Sequence, residues 1–430
     1  MAARDTNRLL GEFHAKLRDR PLSPDDPFYV PYLTGPGDPI AHLAQQIEWR
    51  DAAGIYLLSG HPGCGKSTEL RRLKNVLEER ECSVFLIDML GYMNMSTPVE
   101  VTDFFLSLVG AIAEAVGRKY ERDLLVEGYF TRFKNFLHTR VTVDEIGLEA
   151  GFSSVTASLK NDPTFRQAVQ ERLRGHLTAL LREAHDFIAG VVDSIRRWEE
   201  DVDRKVVLLV DSLEKIRGVG AGATAVHDSV RNLFYTHADS LRLPLHVIYT
   251  LPPYLIPLAP GMGAQLGTGF YTIPSLHVFH KEARDPDPEG IEIMRTILDK
   301  RFASWNEVFS GEQVQRLAVS SGGDLREYLY LLSFCLIEAG ANRRALPLGN
   351  DVIEAAENFV RRSMLPISDI DKEWLRRIAQ THEANFPSIE DLPSLARLFD
   401  TKLVLNYRNG NDWYDVHPLL RTVIDQPNGT

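Results

Sequence analysis

The sequence has few cysteines, no long apolar run and no excess of positive charge. Its three cysteines, Cys64, Cys82 and Cys335, form neither a metal-ligand spacing nor a disulfide framework, which excludes a disulfide-stabilised secreted scaffold. No stretch approaches the roughly 20 apolar residues that span a bilayer. The amino terminus also lacks the apolar segment of a signal peptide. We therefore expect a cytoplasmic protein.

The charge balance argues against nonspecific nucleic-acid binding. The chain carries 48 Lys and Arg against 59 Asp and Glu, a net charge of −11, whereas binding along a phosphate backbone requires a basic surface. A local basic patch remains compatible with that total. Its 430 residues, 44% hydrophobic and 25% charged, predict two or three globular domains.

A complete phosphate-binding motif follows a short apolar run. The motif consists of Gly60, His61, Pro62, Gly63, Cys64, Gly65, Lys66 and Ser67, and Thr68 follows it. Its glycines let backbone N–H groups surround phosphate oxygens. Lys66 can reach the β- and γ-phosphates, and the Ser67 hydroxyl can bind Mg²⁺. The alternative is a simple glycine turn with a solvated lysine. The strand pattern at 54–58 and the helix pattern at 67–77 favour nucleotide binding.

A second acidic motif follows another apolar run, at 206–210. Asp211 comes at the predicted carboxyl end of that strand, where it can hold the Mg²⁺ shell, and Glu214 can polarise the attacking water. The alternative is that Asp211 caps a turn and Glu214 lies on the surface. Many related ATPases place the base directly after the aspartate, where this chain has Ser212. A scaffold that binds nucleotide without turnover therefore stays open.

Further apolar runs predict more strands of the same sheet, at 83–88, 245–250 and from Phe270 onwards. Their alternation with helical patterns predicts an α/β fold, with a parallel sheet between layers of helices. Thr250 lies at the carboxyl end of its strand.

A helical region with a conspicuous break follows the sheet. Helices are predicted at about 291–302, 311–319, 325–339 and 351–361. Gly322 and Gly323 end one helix, Asp324 can cap the next, and Arg326 lies in its first turn. An arginine gains nothing from the helix dipole there. We therefore expect an anionic partner for Arg326, with a solvated surface arginine as the alternative.

The last 65 residues have the pattern of a winged helix. Helices are predicted at 371–382 and 388–399, and strands at 402–407 and 413–416 are joined across an Asn-Gly turn. The second helix carries Glu390, Asp391 and Asp400 against Arg397, the wrong charge for a DNA groove. A protein-facing or autoinhibitory role is the better interpretation.

The order of these motifs resembles the STAND and origin-recognition-type ATPases of the AAA+ class, over about residues 28–425. The resemblance implies a nucleotide-controlled switch that assembles with other subunits. It also implies that Thr250 reads the γ-phosphate, that Arg326 is the second sensor and that His417 touches the diphosphate of ADP. Arg242 would complete a neighbour's active site. Each of the four also has a structural interpretation: a strand end, a surface arginine, a packing histidine and a solvated arginine.

These patterns predict four parts of the chain. They are an extension (1–27), a P-loop core (28–282), a helical lid (283–365) and a winged-helix domain (366–430). An insert at about 117–202 is expected to contain a hairpin over 141–159 and one long helix from Phe165 to Trp198. That helix is either packing or an assembly arm.

The predicted function is an ATP/ADP- and Mg²⁺-dependent switch with slow hydrolysis, of the kind that bacterial STAND proteins use in signalling or antiviral defence. The partner is another protein or a further copy of the chain, and no membrane is involved. The competing hypothesis is a DNA-loading, replication or transposition AAA+ ATPase.

Overall fold

The computed structural model describes residues 3–35, 37–122, 124, 127–141, 152–218, 222–385, 388, 391–409 and 411–425. It contains two compact units. The first consists of residues 1–38, 60–68 and 273–430, and the second of residues 39–59 and 69–272.

The second unit is built on a parallel five-stranded sheet. Its strands are β1 (Ile55–Ser59), β2 (Ser83–Asp88), β3 (Val206–Asp211), β4 (His246–Leu251) and β5 (Phe270–Thr272). Their order in the sheet is β2-β3-β4-β1-β5, and every pairing is parallel. All residues of β1, β3 and β4 are buried, as expected for parallel strands rich in Val, Ile and Leu. This sheet, with a glycine-rich loop leading from β1 into a helix, confirms the predicted α/β fold of a P-loop NTPase.

One helix precedes the first strand, and the others lie between strands in the chain. They are α2 (Pro39–Trp49), α3 (Lys66–Glu79), α4 (Val101–Tyr120), α5 (Gly128–Val141), α6 (Phe152–Asn161), α7 (Pro163–Leu173), α8 (Leu177–Trp198), α9 (Ala223–Arg231) and α10 (Ala259–Leu266). The first three residues of α3 belong to the loop and to the first unit. Helix α4 packs against β2 and also against α6 and α8.

Two predictions for the insert were wrong. The hairpin expected over 141–159 is a helix from Phe152 onwards, where Val155 and Leu159 are buried at helical spacing; residues 142–151 lie outside the described part. The single helix expected from Phe165 is two helices, α7 and α8. They are separated at Gly175, whose φ of 83° is left-handed and cannot continue a helix.

The first unit is mostly helical. It contains α1 (Ala3–Lys16), α11 (Pro288–Arg301), α12 (Gly311–Ser320), α13 (Leu325–Ala341), α14 (Asn350–Ser363), α15 (Asp369–Thr381), α16 (Leu392–Asp400) and α17 (Arg421–Ile424). Helices α11 to α14 confirm the four helices predicted for the lid. Asp287 caps α11, and Ser310 forms a capping box with Gln313 on α12.

The carboxyl-terminal segment (residues 369–425) confirms the predicted hairpin. Strands β6 (Val404–Asn409) and β7 (Asn411–Val416) pair antiparallel, and Gly410 of the predicted turn lies outside the described residues. The prediction placed the start of helix α16 at Ser388. The helix begins at Leu392. Tyr407 and Trp413 of the hairpin belong to the same apolar core as Phe13 of α1. The helices and the hairpin of this unit therefore pack around one apolar core.

No helix in the described ranges is long and apolar enough to cross a membrane. The three cysteines are buried, and none of them forms a disulfide within the described ranges.

Candidate nucleotide site

The loop between β1 and α3 has glycines where other residues rarely fit. The φ angle is 151° at Gly60, 101° at Gly63 and 97° at Gly65. A Cβ atom at Gly60 would lie 2.4 Å from the carbonyl oxygen of Ile273, and one at Gly63 would lie 2.5 Å from the carboxylate of Asp324. The backbone therefore requires glycine at these positions, and consecutive N–H groups in such conformations form an anion-binding concavity.

Lys66 turns its ammonium group back onto this loop. Its Nζ donates to the carbonyl oxygens of Gly60 at 2.6 Å and of His61 at 2.9 Å, and the residue is only 3% exposed. A buried ammonium group needs such partners. Phosphate oxygens are charged and form stronger hydrogen bonds than carbonyl oxygens do. Lys66 is thus placed to exchange the loop carbonyls for a phosphate.

Residues ahead of the sheet hold both ends of the loop. The Tyr32 hydroxyl donates to the carbonyl oxygen of Cys64, and the backbone N–H of Leu22 donates to Thr68 Oγ1 at 3.1 Å. Cys64 is buried, whereas Pro62 and Ser67 are half-buried. The Ser67 side chain therefore remains partly accessible beside the fixed loop.

A buried ion pair lies directly on the loop. Asp324 caps α13 by accepting the N–H of Glu327 at 2.8 Å, and its other carboxylate oxygen accepts Lys402 Nζ at 2.6 Å. Burial raises the pKa of this carboxyl, but Lys402 and the capping N–H outweigh it, so the pKa of Asp324 lies below its usual value. Asp324 is therefore an anion next to Gly63, compensated by a lysine from the carboxyl-terminal segment.

His61 also joins the loop to that segment. Its ring lies 5.2 Å from the ring of Phe399 in α16, centroid to centroid, and the residue is 1% exposed. Burial, assisted by the positive charges of Lys66 and Lys402, lowers the pKa of His61 to about 3. The imidazole is consequently neutral at physiological pH.

The two residues assigned to nucleotide sensing have other partners here. Arg326 lies in the first turn of α13, is about half exposed and forms an ion pair with Asp19. His417 is fully buried, with its Nε2 atom 2.8 Å from Glu327 Oε1, and its Nδ1 atom accepts the N–H of Leu419. Their roles toward nucleotide remain predictions.

The second unit contains three of the predicted site residues, Asp211, Glu214 and Thr250. Asp211 and Glu214 are both buried, and the Ser212 between them has a φ of 73°. Thr250, at the end of β4, accepts the N–H of Leu213 at 3.0 Å. The turn after β3 is thereby tied to the neighbouring strand. Asp211, Glu214 and Thr250 thus share one edge of the sheet, the edge at which ligands of α/β proteins bind.

Arg242 lies apart from these residues, on the surface of the second unit. It donates to the carbonyl oxygen of Gln265 at 2.9 Å, and its Nε atom lies 3.6 Å from an Asp239 oxygen. Both the residue and its partner are exposed, so the ion pair contributes about 0–1 kcal/mol.

Sequence reasoning missed Lys402 as a site residue. It lies 78 positions from Asp324 along the chain, and its own φ of 58° is left-handed. No local pattern signals such a pair. The capping role of Asp324 was predicted and is confirmed, but its contact with the loop was not foreseen.

No protein-family model matches the chain, and no curated protein matches it in sequence. Solved structures do resemble it. A chain from the structure of Drosophila ORC bound to DNA is 14% identical, with 96% of this chain and 91% of that chain covered and a TM-score of 0.39. Cdc6p from Pyrobaculum aerophilum is 15% identical, with 93% and 96% covered and a TM-score of 0.39.

A Walker-type ATPase of Pyrococcus abyssi is 15% identical, with 95% of this chain and 99% of that chain covered and a TM-score of 0.40. The α/β P-loop fold is established by the loop geometry and the strand order described above.

Proposed function

We propose that this protein is an ATP-binding switch whose nucleotide state controls the contact between the phosphate loop and the carboxyl-terminal segment. The observation that carries the proposal is the position of Asp324. One carboxylate caps a lid helix, contacts Gly63 of the loop and pairs with Lys402 of the carboxyl-terminal segment.

Electrostatics supplies the coupling. A phosphate bound by the loop introduces negative charge near the Asp324 carboxylate. Two like charges 5 Å apart repel by about 3 kcal/mol at an effective dielectric constant of 20. Lys402 offsets this repulsion only while the carboxyl-terminal segment stays in place. Nucleotide binding and the position of the segment are therefore expected to affect each other.

The residues of the two motifs are proposed to have the following roles. In the first unit, Lys66 and the loop N–H groups would bind the phosphates of ATP or ADP, and the Ser67 hydroxyl would be a ligand of Mg²⁺. In the second unit, Asp211 would be a Mg²⁺ ligand and Glu214 would orient the attacking water. Bound Mg²⁺ would neutralise charge at the phosphates. The buried position of Glu214 suits a base that must be held still, and Ser212 in the usual base position is consistent with slow turnover.

Arg326 and His417 are proposed as sensors. Arg326 is held by a half-exposed ion pair to Asp19, which is weak enough to be exchanged for a phosphate. His417 is placed by Glu327, three residues after the Asp324 cap. An AAA+ or STAND-type assembly through Arg242, with a protein partner or further copies of the chain, belongs to the same proposal.

The test compares Lys66→Ala with Lys74→Ala, a lysine change on the exposed face of the same helix. Lys66→Ala should abolish tight ATP and ADP binding in a titration while the circular dichroism spectrum stays unchanged, because the change deletes a charge and little core volume. Lys74→Ala should bind as wild type does. Wild-type affinity in Lys66→Ala would refute the site.

Sizing chromatography with ADP and with ATP, with and without DNA, tests the switch itself. A change of size or shape with nucleotide alone supports the switch. A separate nucleotide-turnover assay with and without DNA tests the alternative, and turnover that requires DNA would favour a DNA-loading ATPase.

A further inference from the structure

A groove lies in the second unit, at the amino-terminal end of β1. Its volume is about 570 Å³, and its lining includes Gln46, Trp49, Arg50, Tyr56, Thr268 and Gly269. Pockets of this size accommodate a small organic ligand. The phosphate loop follows the opposite, carboxyl end of β1, so the groove is separate from the site discussed above.

The groove presents an aromatic surface and a cation to solvent. Trp49, the last residue of α2, is 79% exposed, the highest value among the large apolar side chains that the structure describes as exposed. Arg50 follows it and is also exposed. The described lining contains no carboxylate, although the whole chain has 59 acidic residues. This surface therefore favours a planar ligand with negative charge.

Tyr56 packs beneath this surface, next to Arg50. The residue is 1% exposed, and its ring folds back over Gly54, where a Cβ atom would lie 2.7 Å from the Oη atom. Burial raises the pKa of Tyr56, and the charge of the Arg50 guanidinium and its hydrogen bond to the hydroxyl oppose that rise. Tyr56 is therefore a neighbour that positions the Arg50 side chain at the groove.

The groove is rigid on both sides. Lys205 Nζ caps the end of α2 by donating to the carbonyl oxygens of Ile47 at 3.0 Å and Arg50 at 3.1 Å. On the other side, the N–H of Thr268 donates to the carbonyl oxygen of Gly263 at 3.1 Å and closes the end of α10. Trp49 and Arg50 are thus presented by a fixed helix end, which lowers the entropic cost of binding.

We propose that this groove binds a nucleotide unit, a base that carries a phosphate. The base stacks on the Trp49 indole, and the phosphate pairs with the Arg50 guanidinium. A free mononucleotide and a single-stranded nucleic acid both offer this chemistry.

The test uses the full-length chain with the Lys66→Ala change, so that the phosphate loop contributes no binding. AMP and a short single-stranded oligodeoxynucleotide are titrated separately by calorimetry. Trp49→Ala should weaken binding about 5- to 160-fold, which corresponds to 1–3 kcal/mol per stacked base. Val202→Ala, at another exposed apolar residue of the same unit, should leave binding unchanged.

Arg50→Gln provides an independent readout. It should weaken binding and also lower the salt dependence of the oligonucleotide affinity by about 0.7 in log–log slope, the contribution of one contacted phosphate. Tighter binding of AMP would identify free mononucleotide as the source, and tighter binding of the oligonucleotide would identify a strand. Absence of binding to both at millimolar concentration, or equal binding by Trp49→Ala, would overturn the proposal.

Discussion

Protonation of His61 should loosen the contact between the phosphate loop and α16. The pKa of this histidine is lowered from 6.5 to about 3 by burial against Phe399 and by the neighbouring Lys66 and Lys402. When α16 opens, the imidazole regains water and its ordinary pKa. The closed state therefore binds a proton less well than the open state, so its stability is complete above pH 6.5 and decreases as the pH falls toward 3.

The magnitude follows from the two pKa values. Between pH 7 and pH 5 the open form gains a proton that the closed form does not take, which amounts to about 2 kcal/mol at 1.36 kcal/mol per pH unit below 6.5. The opening equilibrium of α16 should thus increase about 30-fold at pH 5. Amide hydrogen exchange of residues 393–399, corrected for the intrinsic rate at each pH, measures this directly.

A neutral replacement separates His61 from other titrating groups. Burial raises the pKa of Asp415 in β7 to about 6, so its protonation favours the closed form at low pH and opposes the effect of His61. His61→Gln keeps Asp415 but removes the imidazole, so the difference between the two proteins isolates His61. The variant should lose the 30-fold increase, whereas His42→Gln, at an exposed histidine, should retain it. Identical pH dependence in wild type and His61→Gln would refute the reasoning.

Three further predictions concern the buried pair, the base and the sensor. Lys402→Met should destabilise the first unit by about 3–5 kcal/mol at pH 7, because it leaves Asp324 buried without its cation. Asp324→Asn in the same chain should restore part of that stability in a denaturant titration; no recovery would mean that Lys402 acts by packing alone. Glu214→Gln should keep nucleotide affinity and suppress turnover in a phosphate-release assay, and mixing it with Arg242→Ala subunits should restore activity only if sites are shared between chains. His417→Ala should weaken ADP about tenfold or more and ATP less, by loss of one charge-assisted hydrogen bond of 1.5–3 kcal/mol; equal effects on both nucleotides would make His417 a packing residue.

The strands and the capped helices could be predicted because their signals are local. The run at 206–210 is apolar throughout and ends in Asp211, as a buried parallel strand does. Helix α13 begins where Asp324 follows two glycines with φ of 60° and 77°. In both places, propensity and burial favour the same structure, so the pattern determines the element.

The insert was mispredicted because two periodicities were both present. The stretch after Gly151 has alternating apolar residues, which is typical of a strand. Val155 and Leu159 also lie four positions apart, which is helical spacing, and both are buried on one face of helix α6. Between α7 and α8, Gly175 separates what was predicted to be a single helix. Its left-handed backbone ended α7 within an otherwise continuous apolar pattern. Short apolar runs are ambiguous until tertiary contacts select one period.

The buried groups around the loop are the part that no local pattern contains, and they also constrain how the protein can work. A loop that served only to bind phosphate would gain nothing from an anion beside Gly63 or from a buried histidine that is neutral at physiological pH. Both features favour the arrangement in which α16 and Lys402 stay on the loop. By thermodynamic linkage, a change that releases this segment must alter nucleotide affinity by the same factor that nucleotide alters release. If removal of Lys402 releases the segment, it should therefore also change the affinity for nucleotide, even though Lys402 lies outside the nucleotide-binding motifs.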